Sequence, residues 1–312
     1  MKAALYDSFG DPEQVKVGDI DPPEVGEGEV LVRIEAAGVN PVDAAVQRGH
    51  LQGRLPHTFP IIPGWDMAGV IEERGFSARR FEVGDAVFGY ARRPVVQWGT
   101  FAEYVVIPES YLAKQPQSIP ATEAGAIPLT GLTAYQSIFD AGRLEAEETI
   151  LILGASGGVG SFAIQLAKTE GAEVIGVASQ SNHDYMKQLG ADATIDYHSE
   201  HIGEATLDIA PEGVDLIFDC SSGESMQQSL SALKNDGKLV SILNTGENLD
   251  PDIDFEYVFV EPNSSQLDTL ADLVDADKLD IHISKTYSLD ETPQALQNIE
   301  QRHTKGKTII IP

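Results

Sequence analysis

Apolar positions in the first 110 or so residues fall in short alternating runs broken by Gly and Pro. Residues 29–37 (EVLVRIEAA), 67–74 (MAGVIEER), 86–90 (AVFGY) and 100–108 (TFAEYVVIP) are rich in β-branched and aromatic side chains, and each predicts a strand. Asp21-Pro22-Pro23, Pro63-Gly64 and Val83-Gly84-Asp85 separate them, as residues that fix or free φ do at turns. A compact β-rich barrel is expected here.

The pattern changes after Pro120. Residues 122–140 have helical spacing with a break near Pro128. Strands are then predicted at 149–153, 173–178, 214–219, 238–243 and 255–260, and helices at 158–169, 182–189 and 224–233. The run Thr149-Ile150-Leu151-Ile152-Leu153 is apolar throughout, as a parallel strand covered on both faces requires. This alternation predicts βαβ units and an open parallel sheet, an α/β domain. Residues 285–312 read as strand, helix (291–301) and strand (307–311), and are expected to return to the first domain. One domain thus spans 1–120 with 280–312, and the other, 121–279, is inserted into it.

Gly154-Ala155-Ser156-Gly157-Gly158-Val159-Gly160 follows a predicted strand and opens a predicted helix. Glycine there lets the backbone turn sharply, approach a diphosphate and pack the helix on the sheet. The helix N-terminus adds free N–H groups and a positive dipole end. This is a doubly wound dinucleotide site of the Rossmann kind. NAD sites put an acid after the second strand to hold the ribose 2′-OH. Here Ser179, Ser181 and Asn182 stand there, and the nearest acid, Asp184, falls within the next helix. NADPH is therefore expected over NADH, held by hydroxyl and amide donors, since the nearest cation, Lys187, lies a turn or more further on.

Composition narrows the partners. The 312 residues are 42% apolar, enough for two cores. No run approaches the roughly 20 apolar residues of a membrane span, and the N-terminus shows no secretory pattern. The single cysteine, Cys220, can form neither an internal disulfide nor a thiolate zinc cage, and a cytoplasmic location is expected. Acidic residues outnumber basic ones 49 to 21, a net charge of −28. Such a field disfavours nucleic acid and anionic membranes. Spread along the whole chain, it suits a salty cytoplasm, where counter-ions screen dense surface carboxylates.

The chain resembles the zinc-free quinone oxidoreductase branch of the medium-chain dehydrogenase/reductase superfamily. The resemblance rests on Ala36-Ala37-Gly38-Val39-Asn40-Pro41-Val42-Asp43, Pro63-Gly64-Trp65-Asp66-Met67-Ala68-Gly69-Val70, Val83-Gly84-Asp85-Ala86-Val87-Phe88-Gly89, Gly99-Thr100-Phe101-Ala102-Glu103-Tyr104 and Leu129-Thr130-Gly131-Leu132-Thr133-Ala134-Tyr135. The glycine loop, Leu189-Gly190-Ala191-Asp192 and Gly306-Lys307 complete the series. The resemblance implies a GroES-like barrel domain and a Rossmann domain. It also implies further cofactor contacts: Tyr197 at the 2′-phosphate, Thr130 near the carboxamide, and two groups along the nicotinamide. Leu243, Asn244 and Thr245 would end the fifth strand, and Val258, Phe259 and Val260 would belong to the sixth.

Alcohol dehydrogenases of that superfamily carry a cysteine where Asn40 stands and His-Glu where Trp65-Asp66 stand. Neither Asn40 nor Trp65 suits zinc, which favours thiolate and imidazole. His198 and His201 lie in a polar connection and read as solvated, and Cys220 reads as packing. Without a Lewis acid, a conjugated substrate is favoured, because charge arriving from hydride spreads into an enolate that hydrogen-bond donors can hold. Quinones and α,β-unsaturated carbonyls are such substrates. Asn40 either donates to the carbonyl oxygen or orders its loop with Asp43; Tyr90 is a candidate hydroxyl donor. Asp43, Leu51 and Trp65 are expected at the substrate pocket, and Ala45 stands where some bacterial quinone reductases have tyrosine. A homodimer paired through the sixth strand is expected by analogy. The competing reading is an NADPH-binding protein without turnover.

Overall fold

The computed structural model describes residues 1–221, 223–301 and 305–312. The excluded residues 302–304 fall in the closing segment read from sequence. Two units emerge: residues 1–129 with 261–277 and 281–312, and residues 130–260 with 278–280.

The first unit is built on a seven-stranded sheet. Its long central strand, Glu29–Val39, pairs with Asp66–Arg74, Tyr104–Pro108 and Lys307–Ile311, all antiparallel. Alternate residues Val30, Val32 and Ile34 face the core, the period-two pattern of a strand covered on one face. The strand predicted from residue 100 begins only at Tyr104. Ahead of it, the Thr100 and Phe101 N–H groups instead donate to Gly64 O and Pro63 O, each at 2.9 Å. Three strand ends meet at one place. Val39 lies opposite Thr308, so the register carries Asn40 to Lys307, and Asp66 opens the neighbouring strand opposite Tyr90. Gly38 allows this approach: a Cβ there would lie 2.7 Å from Asp66 Oδ2 and 2.6 Å from Gly125 O.

The second unit is a six-stranded parallel sheet. In space the strands run Ala193–Asp196, Glu173–Ala178, Thr149–Leu153, Val214–Asp219, Leu233–Ser241, Asp254–Tyr257. In chain order that is 3-2-1-4-5-6, the arrangement of a Rossmann fold. Leu151, Leu153, Ile175, Val177, Ile217 and Leu239 fill its interior. The first strand leads through Gly154, at φ 75°, into the helix Gly158–Glu170.

Two expectations shift. Residues 121–129 belong with the first unit, and so does the segment 261–277. The helix Ser264–Asp275, unread in the sequence, holds it there: Asp268 pairs with Arg80 at 2.8 Å, and Asp275 accepts from the Gln117 and Ser118 N–H groups. The fifth strand ends at Ser241 and the sixth at Tyr257. Leu243, Asn244, Thr245, Val258, Phe259 and Val260 therefore occupy connections beyond strand ends. Ser241 Oγ accepts from the Leu243 and Asn244 N–H groups and turns the chain off the sheet.

Candidate active site

In the second unit, the loop Gly154–Gly160 leaves its strand and starts a helix capped by Gly157. A Cβ on Gly160 would lie 2.5 Å from Gly154 O, and one on Gly157 would lie 3.3 Å from it. The loop can close this tightly only on glycine, and its tightness gathers backbone N–H groups at the helix start, where an anionic diphosphate is stabilised. Ala155 is buried beneath it, while Ser156 and Val159 are half-buried.

Beyond the second strand, Ser179, Ser181 and Asn182 form one hydrogen-bonded group with Ser156. Asn182 Nδ2 donates to Ser156 Oγ at 3.1 Å and to Ser179 Oγ at 3.3 Å, and the Ser179 and Ser181 hydroxyls are 3.2 Å apart. Tyr197 follows the third strand and is exposed, its ring 4.1 Å from that of His198. These residues fit the adenosine end of a dinucleotide, with neutral donors where an NAD site has an acid.

Asp219 closes the fourth strand. Its Oδ2 accepts from Ser241 Oγ at 2.8 Å and Asn244 Nδ2 at 2.6 Å, and its Oδ1 accepts from the Ser221 N–H. This buried carboxylate fixes the connection carrying Leu243, Asn244 and Thr245. Leu243 and Phe259 are exposed, Val260 is buried, and the Val258 N–H donates to Ser241 O. Thr130 is buried in the helix Pro128–Tyr135. Asp219 was missed in the sequence, where it reads only as the last residue of an apolar run. The neighbouring Cys220 thiol is pushed well up by burial and the Asp219 charge, so it is no nucleophile at neutral pH.

The first unit holds a buried ionic cluster. Lys307 Nζ donates to Asn40 Oδ1, to Asp66 Oδ2 at 3.2 Å and to Val39 O at 3.4 Å, using all three of its hydrogens. Asn40 Nδ2 donates to Asp66 Oδ2 at 2.8 Å and to Gly38 O at 3.4 Å, and Asp66 Oδ1 accepts the Leu129 N–H at 2.6 Å. Both hydrogens of the Asn40 amide are thus engaged within the protein. In this geometry the Asn40 amide and backbone N–H order the chain around Asp43 and Asp66. Asp43 accepts the Asn40 backbone N–H at 2.8 Å and lies near the start of the helix Pro41–Gln47.

Both carboxyls are raised by burial; for Asp66 the Lys307 charge, the Asn40 amide and the Leu129 N–H oppose that rise without cancelling it. For Asp43, burial outweighs the Asn40 and Gly64 N–H groups, and the nearby Asp66 charge adds to it, so the carboxyl is pushed up to about 8. The ion pair of the cluster is Lys307 with Asp66. Tyr90 is fully buried beside Arg92, and its hydroxyl is raised chiefly by burial. Trp65 packs edge-on against Tyr90 with ring centres 6.1 Å apart, and Leu51 is half-buried. Lys307 entered the sequence reading only as part of a marker; a lysine opening an apolar strand carries no signal that its ammonium turns inward.

Comparison with known proteins agrees with this geometry. The alcohol dehydrogenase GroES-like domain family matches residues 26–117, and the zinc-binding dehydrogenase family matches residues 189–310. The mitochondrial NAD(P)H oxidoreductase RTN4IP1 of Danio rerio is 31% identical over 90% of this chain and 83% of its own length. The chloroplastic NADPH-dependent alkenal/one oxidoreductase of Arabidopsis thaliana is 30% identical over all of this chain and 80% of its own. Among solved structures, the quinone oxidoreductase from Coxiella burnetii superposes with a TM-score of 0.91 at 31% identity, covering 100% of this chain and 99% of that one. The chain belongs to the medium-chain dehydrogenase/reductase superfamily, in its quinone oxidoreductase branch. The zinc named in one family description does not fit here: Asn40 and Trp65 are not zinc ligands, and the Lys307 ammonium lies against Asp66. Among the described residues, no group of three or more His, Cys, Asp or Glu is placed to hold a metal.

Proposed function

We propose that this protein reduces quinones or α,β-unsaturated carbonyl compounds with NADPH, without zinc. The observation that carries the reading is the Gly154–Gly160 loop at the head of a 3-2-1-4-5-6 sheet, followed by a serine and amide group where an NAD site has an acid. Relatives named for NADPH-dependent alkenal/one reduction and for quinone oxidoreduction support the substrate class.

When bound, the reduced nicotinamide supplies the hydride. The chain's own residues bind, order and exclude water. Backbone N–H groups of the glycine loop hold the diphosphate. Asp219 and Ser241 fix the Leu243–Asn244–Thr245 connection in one conformation, a pre-ordering that lowers the entropic cost of reaching a reactive geometry. Lys307 fixes Asn40 and Asp66, and with them the chain leading to Asp43. Burial raises the Asp43 carboxyl to about 8, and its Oδ2 accepts the Asn40 N–H. A substrate whose negative charge delocalises asks less of the protein than a simple ketone.

The partner reading is a homodimer. An unpaired outer edge on the strand Asp254–Tyr257, with Tyr257 and Phe259 exposed beside it, supports pairing through that edge. A cytoplasmic location and a salt-rich milieu fit the net charge of −28. Steady-state oxidation of NADPH and of NADH with a quinone, an enone and a simple ketone, at low and high salt, tests the function. Turnover with the conjugated acceptors and not the ketone is expected. Tight NADPH binding with no turnover on any acceptor would identify a binding protein instead.

A further inference from the structure

The corner of the second unit that receives a 2′-phosphate is short of positive charge. Only two lysines and no arginine lie between Gly154 and Glu200. Lys168 is engaged by Asp192 at 2.8 Å, leaving Lys187, on the helix His183–Gln188. Around the same corner stand the carboxylates of Asp184, Asp196 and Glu200. A dianionic phosphate there meets like charge, which costs affinity unless a cation offsets it.

Parallel pairing sets Ala178 opposite Asp196. Ser179 and Tyr197 therefore leave the sheet side by side, one residue beyond the paired ends. The exposed Tyr197 ring lies 4.1 Å from the ring of His198, also exposed, whose backbone N–H donates to Asp196 Oδ1. His183 is a poorer cation. Its Nδ1 meets Thr194 Oγ1 at 3.0 Å, and its Nε2 is sealed from solvent with no acceptor, so a second proton there would have nowhere to donate. His201 opens the following segment and is exposed. Of the groups facing this corner, His198 packs on Tyr197, beside Ser179, with the Asp196 carboxylate near it.

We propose that His198, in its protonated form, supplies the positive charge for the 2′-phosphate, so that preference for NADPH over NADH strengthens as pH falls from about 8.5 to about 6.5. This rests on the dinucleotide site proposed above. Imidazole gains its charge between about pH 8 and 5, and a phosphate monoester loses its second proton near pH 6. Above about pH 6.5 the phosphate is mostly dianionic, and the trend reports the imidazole. The sign follows: binding stabilises the imidazolium, so affinity is highest below the imidazole pKa and is lost as pH rises through it.

Calorimetric titration of the full chain with NADP+ and with NAD+, which differ only by the 2′-phosphate, at fixed ionic strength, tests this without turnover. The ratio of the two affinities is expected to fall about tenfold between pH about 6.5 and about 8.5, a magnitude set by one charge-assisted hydrogen bond at an exposed site. In His198→Gln the ratio stays at its high-pH value throughout, with NAD+ affinity unchanged. In Lys187→Met the ratio drops equally at both pH values and keeps its slope, because an ammonium does not titrate in this range. A wild-type ratio independent of pH, or a slope that survives His198→Gln, overturns the proposal. If neither dinucleotide binds, the dinucleotide site falls, and this proposal with it.

Discussion

The two units handle charge in opposite ways. Around Asn40, Asp66 and Lys307, every donor of the lysine and of the asparagine amide is matched inside the protein. Around Gly154–Gly160, a helix start and its backbone N–H groups gather with no carboxylate side chain on the loop. A site that satisfies itself fixes its own geometry; a site that leaves donors over holds a ligand. The contrast sets a loop that can take a ligand against a cluster that orders its own unit.

The sharpest way to break the contrast is to unbalance the closed cluster. Lys307→Met leaves Asp66 buried and unpaired, and should cost about 3–5 kcal/mol of stability, read by urea denaturation. Adding Asp66→Asn should restore most of that loss, since a neutral amide still accepts the Leu129 N–H and needs no ammonium. A harmless Lys307→Met would show the cluster to be hydrated and not closed. Next in size is the open site. Gly160→Val places carbon within 2.5 Å of Gly154 O and should weaken NADPH at least about tenfold, with 5′-ADP weakened alongside. Fluorescence titration of NADPH reads it.

A pH-dependent effect sharpens the picture at Asp43. Its carboxyl is raised to about 8 in the fold against an ordinary value near 3.9. Between those values the folded state binds the extra proton, so stability contributed through Asp43 falls as pH rises, by up to about 1.4 kcal/mol per pH unit, and levels off above about 8. Asp43→Asn keeps an acceptor for the Asn40 N–H and removes that slope. The difference in unfolding free energy between variant and wild type should therefore grow in the variant's favour from pH about 5 to about 8. A difference flat with pH would place Asp43 ionised throughout.

Much of this was readable before any coordinates. Strands 86–90, 149–153, 173–178, 214–219 and 307–311 occur as read, because continuous or alternating apolar runs leave strands few alternatives. The glycine loop declared itself through spacing. The strand Ala193–Asp196 and the helix Ile202–Ile209 went unread: the first is four residues of mixed polarity, and the second follows a polar connection without a capping side chain. The cluster was illegible for another reason. Asn40, Asp66 and Lys307 are up to 267 residues apart, and only the antiparallel register of the first and last strands of that sheet brings them together. Local pattern carries no information about such a meeting.

Lys307 lies on the last strand of the first unit, and it completes a unit whose other parts leave the ribosome up to some three hundred residues earlier. Until that strand docks, Asp66 has no counter-charge and the edge at Val39 has no partner. The inserted nucleotide-binding unit is complete sooner and can fold first, as domains do during translation. The barrel must wait. A chain lacking that strand would thus have a sound cofactor domain and an unfinished barrel, a natural target for proteolytic clearance.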